Sequence, residues 1–253
     1  MTEEKKYRLT DEMQKIRDYT LFRIEALRDF ADVKKGDLGG FIEKERNLAH
    51  EGNCWIYDNA CAYDRAEVID DAQLRDHVTA SGRSRISASA IATEFVTIYG
   101  NTRIRGNSFL AGESIVHNHA IVDQNAMIYG KAMLLDHSEA KGHCRIYGYG
   151  KLADRTRAEG SSHVAGDAHL SGYTHVSTQK YFGGPAEDPC ICIGPFSDKS
   201  GVQIWVTLEK QSGQLNSAYF KGNLDEFEVY ACEKLNIDVF AVSSFLKSFM
   251  KWK

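Results

Sequence analysis

The sequence predicts a mainly β protein: a parallel β-helix of hexapeptide repeats, about seven triangular coils long, with a β cap before it and a small α+β unit after it. Three observations carry this. Read in sixes from Ile56 to Val176, twenty-one successive positions hold only aliphatic residues, sixteen of them Ile, Leu or Val and five Ala. Four residues after each aliphatic the side chain is small, as in Ala60, Ala66, Ala72, Val78 and Ser84, through to Thr174. Two residues after it stands Gly, Asp or Asn in 17 of 20 repeats, for example Asp58, Gly100, Gly106, Asn118 and Gly172.

The geometry follows from the period. An aliphatic and a small residue two places apart point to the same side of a strand. The Gly/Asp/Asn position supplies a corner where positive φ is tolerated. One repeat is therefore a short strand and a turn, and three repeats close one triangular coil. Residues 18 apart stack on the same face, with coils roughly 4.8 Å apart.

Residues 1–49 read as the first cap. Thr20 to Leu27 alternates loosely, as a strand does, and Lys34-Lys35-Gly36-Asp37-Leu38-Gly39-Gly40 reads as a turn-rich loop. Such a cap covers the otherwise unpaired edge of the first coil. The helix is expected over 50–178. Gly183-Gly184-Pro185 and Asp188-Pro189 then break the pattern, and 179–253 changes character. Cys190 to Gly194, Val202 to Glu209 and Leu215 to Lys221 read as strands. Asn223 followed by Glu226 is a capping box opening a helix with Leu224, Phe227, Ala231 and Leu235 on one face. A second short helix is expected over Phe240 to Trp252. The bland reading of this unit is a cap; the functional one is a lid or an oligomerisation element.

Hydrophobic content of 43% and charged content of 26% are ordinary for a soluble chain. A net charge of −4 argues against bulk nucleic-acid binding. No apolar run approaches a membrane span, and the first residues do not read as a signal peptide. The six cysteines lack CxxC spacing, so no metal and no redox pair is expected. The expected location is the cytoplasm, and no cofactor is expected.

The outward positions separate three faces. Face one carries Ile91, Phe109 and Met127, with Tyr129 and Tyr147 beside them. Face two carries Ile115 and Met133, with Tyr99 and Leu135. Face three carries Glu67, Arg85, Arg103, Ile121, Glu139 and Arg157, with Arg105, Asp123, Lys141 and Glu159. Two adjacent apolar faces suit a homotrimer in which face one of one chain meets face two of the next. The corner between faces two and three reads Arg83, Asn101, His119, His137, Arg155 and Tyr173 in successive coils. With Arg85, Arg103 and Arg105 it forms a cationic strip suited to phosphate or carboxylate, unless the neighbouring Glu139 and Asp123 neutralise it.

The motif Ile128-Tyr129-Gly130-Lys131-Ala132 resembles the hexapeptide repeat of left-handed β-helix proteins, whose best-known members are trimeric acyltransferases. The left-handed sense is implied by that resemblance alone. Upstream, Arg23-Ile24-Glu25-Ala26-Leu27-Arg28-Asp29-Phe30, Asp32-Val33-Lys34, Gly39-Gly40 and Gly52-Asn53-Cys54-Trp55-Ile56-Tyr57 resemble the YdcK-type family of enterobacteria and their phages, labelled transferases on the repeat alone. The resemblance implies an active site between subunits with a His as general base, and His117 is the position that fits. The uninterrupted repeat lacks the loop that walls the acceptor pocket in many such enzymes, and the residues favour binding without catalysis. The expected ligand is an anionic small molecule; the phage-like resemblance implies a nucleotide-type host defence signal that is sequestered. Acyl transfer from acyl-CoA or another donor is the alternative, and a structural scaffold the third reading. The spacing of His163, His169 and His175 puts them on three faces, so they form no common site.

Overall fold

The structure is a computed structural model that describes residues 5–166 without a break, then 168–172, 175–176, 181–182, 190–197, 203–209, 213–216 and 220–235, with isolated positions beyond. The aliphatic column is the axis of the molecule. From Ile56 to Leu170 every sixth residue is 0% exposed, and Val176 is 2% exposed. The small column beside it is buried as well, from Ala60 through Ser84, Ser108 and Cys144 to Ala168. Thr174, the last member of that column, lies outside the described residues.

Each repeat contributes a rung of mostly two residues to one of three parallel sheets, and the pairing step is the expected 18 residues. On face one Ile91 pairs with Phe109 and Phe109 with Met127; on face two Ile115 pairs with Met133; on face three Arg85 pairs with Arg103 and Arg103 with Ile121. The corners adopt left-handed backbone whether or not they are glycine. Asp58, Asp70, Asp76, Asp136 and Asp154 have φ between 52° and 59°. Acidic corners add a second service: the Asp70, Asp76 and Glu94 carboxylates accept the backbone N–H of the corner one coil on, at 2.9, 2.8 and 2.7 Å. Asp is thus selected at a corner both for its tolerance of positive φ and as an acceptor for a turn N–H.

The cap holds more strand than the sequence suggested. β1 (Tyr7–Ile16) and β2 (Tyr19–Ala26) form an antiparallel hairpin, and β3 (Leu38–Ile42) pairs antiparallel with β2 and parallel with Cys61–Ala62. The turn-rich reading of 34–40 therefore stops at Asp37; Gly39 and Gly40 belong to β3, where a Cβ would meet Ile56 O at 2.7 Å and Ala60 O at 2.3 Å respectively. Face two is one continuous 14-stranded sheet, extended by this hairpin at one end and by Cys190–Ser197, Gln203–Glu209, Leu215–Asn216 and Lys221–Gly222 at the other. The helix α1 (Leu224–Lys234) follows, opened by the expected capping box, with the Asn223 side chain accepting from Glu226 N–H at 3.0 Å. Leu224, Phe227 and Ala231 bury its inner face against Val206, Leu208 and Leu215. Apart from a few isolated positions, the helix expected over 240–252 lies outside the described residues. Among the described residues no helix is long and apolar enough to cross a membrane.

Candidate functional site

The corner between faces two and three is shaped by an irregularity in the rungs. Thr97–Gly100 and Ile115–Asn118 run four residues where the neighbouring rungs run two, and they pair through Tyr99 with His117 and Gly100 with Asn118. The ladder is thereby carried up to the corner. Just beyond it, the coil-to-coil bonds are short: Arg83 N–H to Gly100 O is 2.7 Å and His119 N–H to Asp136 O is 2.7 Å.

A depression of about 620 Å³ opens beside this corner, lined by Arg65, Glu67, Arg83, Ser84, Arg85, Asn101, Arg103, His119 and Ile121. Its walls are two ladders on neighbouring registers. One runs Arg65, Arg83, Asn101, His119 along the corner; the other runs Glu67, Arg85, Arg103, Ile121 along face three. Four guanidinium groups meet one carboxylate. Arg85 reaches Glu67 at 3.4 Å, across an exposed pair, whereas Arg65, Arg83 and Arg103 have no carboxylate partner among the described residues. His119 is fixed on one side by Asn101 Nδ2, 3.1 Å from its Nε2, and on the other by the His137 ring, stacked at 4.6 Å and 3°.

Five of the nine residues expected along the cationic strip, Arg83, Arg85, Asn101, Arg103 and His119, therefore line one concavity. Arg105, His137 and Arg155 stand outside its lining, and Tyr173 lies outside the described residues. Arg105 is engaged by Asp123, with Nε 2.9 Å and Nη2 2.8 Å from the carboxylate. His137 supports His119 from behind. Arg65 escaped the sequence reading, although the 18-residue step back from Arg83 lands on it.

His117 lies on the face-two side of the same corner, two residues from His119 and so within roughly 7 Å along the chain. Its ring stacks on Tyr99 at 4.6 Å and 6°, and its Nδ1 is enclosed without a hydrogen-bond partner among the described residues. The next residue, Asn118, donates its side-chain amide to Asp136 Oδ1 at 2.8 Å. That bond, with a second from the Asp154 backbone N–H, holds the Asp136 carboxyl below the usual carboxylate range.

Ile91, Phe109, Ile115, Met127, Tyr129 and Met133 are half-buried on faces one and two, and Tyr129 stacks on Tyr147 at 5.0 Å. Leu135 is already buried within the chain at 9% exposure, which leaves little of it to meet a partner. The edge where the two faces join adds Phe95, 60% exposed, and Tyr149, 58% exposed. Neither was singled out from sequence, because both occupy corner positions rather than strand positions. Among the described residues no cluster of three or more His, Cys, Asp or Glu could hold a metal ion.

Over 96 residues the chain is 36% identical to a protein of Escherichia coli (strain K12) described as an uncharacterized acetyltransferase, YdcK. Part of this chain is homologous to YdcK. The matched stretch covers 34% of this chain and 26% of YdcK, so the chain spans about a quarter of that relative's length. No family model matches the chain. The distant homology and the coil stack agree: this is a hexapeptide-repeat β-helix protein related to one described as an acetyltransferase.

Proposed function

We infer that this chain is an acyltransferase of the hexapeptide-repeat type. On this reading the arginine depression seats the phosphates of an acyl-CoA donor, and His117 serves as general base to the acceptor hydroxyl. The observation that carries the reading is a depression with three guanidinium groups free of carboxylate partners among the described residues, across the same corner from a half-buried histidine. Guanidinium forks match phosphate oxygens bidentately. The described relation to an acetyltransferase supports a thioester donor. His117 takes the acceptor proton as the acceptor oxygen attacks the thioester carbonyl; the C–S bond breaks and the thiolate leaves, regaining a proton. The apolar faces one and two fit a trimer, which would set each chain's face two, with His117, against face one of the next.

The test is thiol release from acetyl-CoA across a panel of hydroxyl acceptors, with wild type and His117→Asn. The reading expects release by wild type, a loss of about 100-fold or more in the variant, the usual scale for a general base, and unchanged coenzyme A binding in both. Binding without any release by wild type would favour the second reading, sequestration of a phosphorylated, nucleotide-type ligand. One observation speaks for that second reading: the unpartnered Nδ1 leaves His117 without the acceptor that usually orients a catalytic imidazole.

A further inference from the structure

The densest chemistry that the arginine depression does not use lies beneath the cap. Lys6, just ahead of β1, is 0% exposed, and so is Cys54, the first small inward residue of the coil stack. The Lys6 Nζ stands 3.2 Å from Cys54 Sγ and 2.8 Å from the Cys54 carbonyl oxygen. The carbonyls of Glu51 and Gly52 lie at 3.4 and 3.5 Å. The Phe30 ring is 5.1 Å away, and the Lys6 backbone N–H donates to His50 Nδ1 at 3.2 Å. The amine is held in place by backbone carbonyls, and among the described residues the only side-chain heteroatom within hydrogen-bond reach is sulfur.

Burial drives both groups toward their neutral forms, the Lys6 amine down from its ordinary value and the Cys54 thiol up. A neutral amine carries a lone pair and is a nucleophile. Cys54 has no second thiol among its described contacts; besides Lys6 it faces the carbonyl oxygens of Ala49 and Glu51 at 3.6 and 3.7 Å. An oxidised Cys54 cannot resolve to a disulfide with these neighbours. Glu51, Gly52 and Asn53, which arch over the pair, are exposed, so one loop separates the sulfur from solvent.

We propose that Lys6 and Cys54 form a cross-link on exposure to a hydroperoxide, a sulfenamide between Nζ and Sγ. In the first step the thiol sulfur attacks one oxygen of hydrogen peroxide, the O–O bond breaks, an S–OH forms, and the departing hydroxide takes the thiol proton and leaves as water; an organic hydroperoxide would leave as its alcohol. In the second the Lys6 nitrogen attacks that sulfur; the S–N bond forms, the S–O bond breaks, and the hydroxide departs with a proton from nitrogen as water. One equivalent of hydroperoxide is reduced by two electrons and the thiol sulfur is oxidised by two. The product ties the start of β1 to the first coil, closing a long loop and restricting the unfolded chain.

The test is peptide mapping of the full chain after hydrogen peroxide treatment, with thermal melts in parallel. The expected product joins the Lys6 and Cys54 peptides, weighs two hydrogens less than their sum, and separates on reduction with dithiothreitol. Treated wild type should melt higher than untreated. Cys54→Ala, which places in this column the residue found at 60, 66 and 72, and Lys6→Met should show no such rise. Cys54 recovered as free thiol, or as sulfinic or sulfonic acid with Lys6 unmodified, when the exposed Cys232 is fully oxidised, would overturn the proposal. A bridge that retains an oxygen atom would overturn the S–N assignment.

Discussion

The inside of the coil stack and its third face are built from the same repeat and obey opposite rules. Inside, twenty-one successive aliphatic positions are sealed to 2% exposure or less, and no position is distinct from the next. On face three each coil differs from its neighbours: Arg85 has a partner in Glu67, Arg105 in Asp123 and Arg157 in Glu139 at 3.1 Å, while Arg103 has no carboxylate partner among the described residues. Fold is encoded redundantly along the axis, so one residue carries little information but one wrong charge does much damage. The candidate site is encoded in departures from regularity, where an uncompensated charge is informative because its neighbours are compensated.

The largest expected effect breaks the interior. Ile128→Asp puts a carboxylate between Leu110 and Ile146, in a column without a cation or donor, and should destabilise by about 4 kcal/mol or more. Urea unfolding checks it; a midpoint equal to wild type would mean the register is misassigned. Next comes the contrast between faces. If faces one and two close a trimer, Phe109→Glu with Met133→Glu should convert it to monomer in light scattering, since charge would enter a desolvated contact. A monomeric wild type, or a doubly substituted trimer, removes that assembly. Smallest is the corner acid. Asp136 has a depressed pKa in the fold, so its stabilising bond to Asn118 is present above the ordinary carboxylate pKa of about 3.9 and is lost as pH falls through the folded value. Asp136→Asn should therefore cost stability at pH 7 and converge on wild type in acid. A gap that stays constant down to about pH 2 would show that the carboxylate charge is irrelevant.

What the sequence could and could not say follows from the same contrast. The six-residue period announces the stack because Ile128 and its equivalents all answer to one constraint, and the Asn223 cap of α1 is equally local. β1 stayed hidden because its inner residues, such as Tyr7, alternate with no clean apolar partner in Arg8-Leu9-Thr10-Asp11-Glu12. On the outside, spacing alone grouped Arg83, Arg85, Arg103 and His119, for an 18-residue step is a neighbour relation. It could not say that Arg105 turns to Asp123 while Arg103 turns to no described carboxylate, because that choice is made by side-chain rotamers. Nor could it see Lys6 beside Cys54, since 47 intervening residues separate them and no period relates the cap to the coils.

The central claim is that the uncompensated guanidinium groups of this depression hold phosphate. Calorimetric titration of coenzyme A into wild type, Arg103→Ala and Arg105→Ala, at two salt concentrations, tests it most directly. The account predicts salt-sensitive binding to wild type, a loss of about 1–3 kcal/mol in Arg103→Ala, the usual cost of removing a charged hydrogen-bond partner, and little change in Arg105→Ala. Equal binding by wild type and Arg103→Ala, or a larger loss in Arg105→Ala, would contradict it.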